Sequence, residues 1–182
     1  MSVEDHLQDI AQKLARRIDA RSCFQCGTCV AACSVARLTG GERYHPRHFV
    51  RETLEGRARG LLSQPMLWLC SNCHACLEHC PQRVPVSELV RELRNLASSL
   101  GYAPADLVAE VESILATGWA LPPNDSTNQQ RGALGLPPVS MADRSSADLR
   151  KIAKATQLDA RVKAVRKRQA TETKTPDQGA EA

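Results

Sequence analysis

Cys70-Ser71-Asn72-Cys73-His74-Ala75-Cys76-Leu77-Glu78-His79-Cys80-Pro81 is the stretch from which the rest of this 182-residue chain can be read. Its spacing, C-x2-C-x2-C-x3-C-P, is the one that wraps a [4Fe–4S] cubane. Cys23, Cys26, Cys29 and Cys33 repeat it without the proline, and all eight cysteines of the chain fall in these two runs. Two residues between successive cysteines let three thiolates reach three corners of one cubane while backbone N–H groups point at its sulfides. The fourth cysteine leads away, and in two-cluster proteins it ligates the other cluster. The spacing therefore assigns Cys23, Cys26, Cys29 and Cys80 to cluster 1, and Cys70, Cys73, Cys76 and Cys33 to cluster 2. Structural zinc also uses paired C-x2-C elements, but it would leave the third regularly spaced cysteine of each run without a purpose. Disulfides need an oxidising compartment. The N-terminus is charged and amphipathic, unlike a secretion signal, and no apolar run is long enough to cross a bilayer. A cytoplasmic protein without direct membrane insertion is expected.

The formal net charge of +4 is unevenly spread: residues 144–182 hold 10 Lys/Arg against 5 Asp/Glu, while the rest is near balance. Aromatic residues amount to 3% of the chain, too few to stack nucleic-acid bases beside the basic tail. Nucleic acid is therefore not an expected partner.

Working outward, Leu7, Ile10, Ala11, Leu14, Ala15 and Ile18 make one apolar stripe and predict a helix over 3–20, with Ser2 and Asp5 as a capping box. Gly27 stands where the backbone must pass close to a cluster. His74, at the matching place in the second run, is either a solvated loop residue or a hydrogen-bond donor that raises that cluster's potential. Pro46 fits the first position of a helix carrying Phe49, Val50 and Leu54. The arginines of that segment, Arg43, Arg47, Arg51, Arg57 and Arg59, read as a solvated face. Pro65 opens a short apolar turn in which Trp68 packs against the cluster loops. A helix follows from Pro85–Glu88 with Ser87 as cap and Leu89, Val90, Leu93, Leu96 and Ala97 as its stripe, ended by Gly101. Another runs from Ala105 to Thr117 and stops at Gly118. No run alternates like a strand, so the expected class is all-α. The expected organisation is a cluster domain over 1–118, an extended Pro/Gly-rich arm over 119–146, a basic helix over 147–169 and a disordered tail over 170–182. Trp119, Leu134, Leu136 and Val139 mark the arm as a segment that orders on a partner.

Taken together, Cys23-Phe24-Gln25-Cys26-Gly27-Thr28-Cys29, Tyr44-His45-Pro46-Arg47, Leu67-Trp68-Leu69-Cys70, Cys80-Pro81-Gln82-Arg83-Val84 and the Leu134–Pro138 motif resemble HdrC, the small iron–sulfur subunit of heterodisulfide reductases and of the related bacterial sulfur-oxidising complexes. The resemblance implies an α-helical ferredoxin fold and a non-catalytic relay of single electrons through two [4Fe–4S] clusters. It implies an HdrA-like flavoprotein subunit and an HdrB-like CCG-domain subunit as partners, in an assembly that can form larger oligomers. This chain has no adjacent cysteine pair and no spare cysteine, so it does not supply a CCG-type catalytic site. Ser34 stands where many such runs carry proline, which predicts a weaker turn after Cys33. The Arg- and Ala-rich, Lys-poor composition favours the sulfur-oxidising setting. The alternative is an iron–sulfur subunit of a flavin dehydrogenase acting on glycolate, glycerol 3-phosphate or succinate, against which the lack of a fused catalytic or β-grasp domain counts.

Overall fold

A computed structural model describes residues 13, 14, 16–41, 44–121, 124–139 and 143–172. They are helical or irregular, with no strand among them, and the chain forms two compact units, Met1–Ala97 and Ser98–Ala182.

Most of the helix expected over 3–20, including Leu7, Ile10, Ala11, Ala15 and the Ser2–Asp5 cap, lies outside the described residues. Lys13, Leu14, Arg16 and Arg17 are helical, and Leu14 and Ile18 are buried as the stripe requires. Asp19 then turns left-handed at φ 49° and a 3-10 turn, Ala20–Ser22, delivers the chain to Cys23. The first cysteine run contains α1 (Thr28–Ala31) and leads into α2 (Ser34–Leu38); α3 (Pro46–Leu54) and α4 (Arg59–Leu62) follow. Pro46 occupies the first turn of α3, where its missing N–H costs no hydrogen bond. Phe49, Val50 and Thr53 are buried, and the Thr53 hydroxyl donates to Phe49 O at 2.7 Å. The 3-10 turn Pro65–Leu69 precedes the second run, which contains α5 (Ala75–Glu78), and α6 (Val86–Ser99) closes the unit. Leu67, Leu89, Val90, Leu93 and Ala97 are fully buried. Phe49 is likewise fully buried, so Phe49→Ala should cost about 3–5 kcal/mol in chemical denaturation of the cluster-loaded protein, by lost transfer energy plus the cavity left behind.

In the second unit α7 (Ala105–Thr117), α9 (Asp143–Ala155) and α10 (Leu158–Glu172) pack on one another. Gly118 caps α7 in the left-handed conformation at φ 80°. The Arg166 guanidinium donates to Glu112 across α7 and α10, with Nε at 3.0 Å from Oε1. Tyr102 lies under the Arg168 guanidinium, 3.7 Å from the ring centroid.

Three expectations change. The first unit ends near residue 97, not 118, because α7 finds the cover for its buried Val108 face in α9 and α10; periodicity shows that a face is buried, not what buries it. The arm expected to be extended over 119–146 holds a helix, α8 (Asp125–Ala133). It has no buried residue; the Asn124 side chain caps it by accepting from Thr127 N at 2.8 Å, and Arg131 Nε donates back to Pro137 O at 3.0 Å. The single basic helix expected over 147–169 is two, broken where Gln157 turns to φ 58°, and α10 continues to Glu172; residues 173–182 lie outside the described ones.

Candidate iron–sulfur site

The two runs adopt the same local backbone. Gln25 and Asn72, each just before the second cysteine, have φ of 56° and 54°; Gly27 and His74, each just after it, have φ of 85° and 61°. Alternating positive φ turns successive N–H groups toward one concave side, an arrangement that binds anions. Gly27 and His74 then serve as N-caps of α1 and α5, which pack on each other. Glycine meets this conformation without strain. Histidine is among the few other residues that enter it with any frequency.

Beyond the fourth cysteines the runs diverge. Cys33 caps α2, its sulfur accepting from Ala36 N at 3.4 Å, so the weak turn expected at Ser34 is instead a helix start. Cys80 heads a turn through Pro81 and Gln82, and its sulfur accepts from Val84 N at 3.4 Å.

One cavity is lined by Cys23, Cys26, Cys29 and Cys80, with Phe24, Gln25, Arg47 and Val84 around them. A second is lined by Cys33, Cys70, Cys73 and Cys76, with Val35, Tyr44, His74 and Ser87. The fourth cysteine of each run therefore lines the cavity of the other run. Among the described residues no three His, Cys, Asp or Glu side chains are arranged to hold a single metal ion; the thiols surround a space.

The chemistry of this donor set suits an iron–sulfur cluster. Burial pushes the Cys29 thiol up to about 11, with added repulsion from Cys23, Cys76, Cys80 and Cys26. Burial also raises Cys76. Four such sulfurs become thiolates together only against the positive charge of bound iron, and loading then releases their protons. The second cysteine of each run behaves oppositely. Cys26 is exposed and lowered by the Thr28 hydroxyl, and Cys73 is exposed and lowered by the Ala75 backbone N–H.

Several residues around the cavities take roles that sequence reasoning passed over. Arg47, read as part of a solvated face, is half-buried, and its Nη1 donates to Gln25 O at 2.9 Å; Gln25 Nε2 in turn donates to Cys23 Sγ at 3.3 Å. Tyr44 is 2% exposed, and burial, followed by its hydrogen bond to the Cys70 sulfur, keeps the phenol protonated far above its ordinary range. His74 is not simply solvated: its Nδ1 lies 3.0 Å from the Ser87 hydroxyl, so Ser87, expected as a helix cap, is a buried partner of the cluster loop. Arg94 donates through Nε to Leu67 O at 2.9 Å and through Nη2 to Cys70 O at 2.7 Å, with its guanidinium 5.7 Å from the Trp68 ring centroid. A signal for Arg94 existed: it sits four residues after Val90 and three before Ala97, inside the apolar stripe, where a cation needs a partner.

The fold and the paired cavities define a helical iron–sulfur protein of the dicluster ferredoxin type. Residues 19–84 match the family model described as a 4Fe-4S dicluster domain, and eight cysteines fit two [4Fe–4S] clusters. The chain is 34% identical over 141 residues, 75% of each chain, to the HdrC protein of the H(2):CoB-CoM heterodisulfide,ferredoxin reductase of Methanothermobacter thermautotrophicus. It is 36% identical over 125 residues, 69% of this chain and 75% of the relative, to the HdrC protein of the Ferredoxin:CoB-CoM heterodisulfide reductase of Methanosarcina mazei. An HdrC-like protein of Archaeoglobus profundus matches at 33% over 141 residues, 75% of this chain and 72% of its own. The chain belongs to the HdrC family, the iron–sulfur electron-transfer subunits of heterodisulfide reductases. Among the described residues no helix is long and apolar enough to cross a membrane.

Proposed function

We propose that this chain carries single electrons between an HdrA-like flavoprotein subunit and an HdrB-like CCG-domain subunit in cytoplasmic sulfur oxidation, with Cys23, Cys26, Cys29 and Cys80 holding one cluster and Cys70, Cys73, Cys76 and Cys33 the other. The observation that carries this reading is the pair of four-cysteine cavities, each drawing on both runs. Helices α1 and α5, which carry Cys29 and Cys76, pack on each other, so the two sites are near neighbours, as a relay needs. Each bound cubane supplies a one-electron couple. The protein's part is to hold it and set its energy. The thiols ligate, Tyr44 and the N–H groups of Ala36, Asn72 and Val84 donate to cysteine sulfurs, and such donors favour the reduced, more negative state. The Lys-poor composition supports the sulfur-oxidising setting over the methanogenic one.

Anaerobically reconstituted full-length protein should contain about eight iron and eight sulfide per chain. Stoichiometric zinc with little iron would sink the cluster reading. The tagged chain, purified anaerobically from its native host, should bring with it a flavin-containing subunit and a subunit bearing CCG motifs; recovery of a glycolate-, glycerol 3-phosphate- or succinate-oxidising flavoprotein instead would overturn the partner assignment.

A further inference from the structure

Beside the first cysteine cavity opens a second, quite different space. It has a volume of about 310 Å3 and is lined by Gln25, His45, Arg47, His48 and Arg51 among others. Gln25 and Arg47 line both spaces. The iron–sulfur site makes no use of this pocket, yet four of its side chains are cationic or basic.

Among the described residues the carboxylate that approaches the pocket's cations is Glu52. Glu52 is held by Arg57 through two hydrogen bonds of 2.9 Å, and its contacts with Arg51 at 3.3 Å and His48 at 3.7 Å are longer. Glu52 is accordingly held below the usual carboxylate range, first through Arg57. The Nδ1 atom of His45 is buried and has no hydrogen-bond partner, and a buried polar atom of that kind calls for an explanation. His45 is also the N-cap residue of α3 and no side chain caps that helix, so the positive end of a nine-residue helix faces the same region. Burial first, then Arg47, His48 and Arg51, push the His45 proton off. A polar space of this size with guanidinium groups on its wall suits one compact anion; planar guanidinium matches carboxylate and phosphate geometry.

We propose that this pocket binds a single oxyanion group, carboxylate or tetrahedral, and that Arg47 couples its occupancy to the neighbouring cluster. The coupling, though not the binding, rests on the reading that Cys23, Cys26, Cys29 and Cys80 hold a cluster. Arg47 is the cation shared by the two spaces: it favours added negative charge on the cluster side, and an anion in the pocket offsets that help. Occupancy should therefore make this cluster harder to reduce and leave the other unchanged. A free oxyanion and an acidic side chain of a partner subunit supply the same chemistry.

The test uses reconstituted full-length protein, titrated with inorganic phosphate and with acetate by calorimetry at constant ionic strength. One saturable site is expected for at least one probe, weakened tenfold or more in Arg47→Gln and in Arg51→Gln but retained in Arg47→Lys, with the iron content of Arg51→Gln equal to that of the unsubstituted protein. No saturable binding of either probe, or binding indifferent to Arg47→Gln, would overturn the proposal. Redox titration followed by electron paramagnetic resonance should show the saturating probe lowering the midpoint of one cluster only, and the same cluster should shift down in Arg47→Gln without the probe. Equal movement of both clusters, or none, overturns the coupling while leaving the binding result to stand by itself. Loss of phosphate binding on assembly with the partner subunits assigns the pocket to a partner carboxylate; retention assigns it to a free oxyanion.

Discussion

Cys80→Ser should remove the electron paramagnetic resonance signature of the cluster held by Cys23, Cys26 and Cys29 and leave the Cys70, Cys73 and Cys76 cluster four-coordinate. The expectation follows from where Cys80 lies: it lines the cavity of the first run, not of its own. Serine keeps the size but exchanges a soft thiolate for a hydroxyl, a poor ligand for iron–sulfur clusters. The change should also loosen the fold. A ligand bond between the first run and residue 80 closes a loop of about fifty residues, and a cross-link on that scale is worth on the order of 4 kcal/mol of unfolded-state entropy. Retention of the first signal with loss of the second would mean that each run serves its own cluster. Cys33→Ser provides the mirror experiment.

Serine at Leu121, Leu134 and Leu136 together should leave both clusters and the folding midpoint nearly unchanged, yet abolish co-purification with the proposed HdrB-like partner. These leucines are 87%, 76% and 46% exposed, so each substitution should fall within about 0.5 kcal/mol of neutral for stability. Burying leucine on a partner is worth about 1.5–3 kcal/mol per side chain. Losing three such contacts should cut affinity a hundredfold or more, since each 1.4 kcal/mol is tenfold. The segment that carries them is held in shape by polar bonds from Asn124, Asn128 and Arg131 and buries none of its own helix, which presents the leucines outward at little ordering cost. Substitution is a cleaner experiment than deleting residues 120–182, because that deletion would also strip α9 and α10 from the Val108 face of α7. Unchanged assembly of the triple variant would refute the docking role.

Much of the site was legible because its chemistry is periodic. The repeated spacing marked the eight cysteines that line the two cavities, and the Leu89, Val90, Leu93, Ala97 stripe and the Gly118 stop placed two helices well. What stayed hidden depends on contacts between distant segments. Arg47 reads as one of five solvent-facing arginines until the fold brings Gln25 against it, 22 positions away. Ser87 has the residue type of a cap, and only the return of the chain past α5 gives it His74 as partner. The helix α8 was missed because its stability comes from the Asn124 cap and the Arg131 bond, neither of which leaves an apolar period. The break at Gln157 needs a left-handed residue that is not glycine, for which the sequence has no mark.

Because each cavity draws three cysteines from one run and one from the other, the second stays incomplete until the ribosome has carried the chain past residue 76, and the first until it has passed residue 80. A nascent chain displaying Cys23 to Cys33 alone offers a three-thiol mouth and one stray thiol. Metal captured at that stage has an incomplete grip. Completion of the second run therefore brings both four-cysteine sets to full number within the same short interval, making their maturation a concerted event.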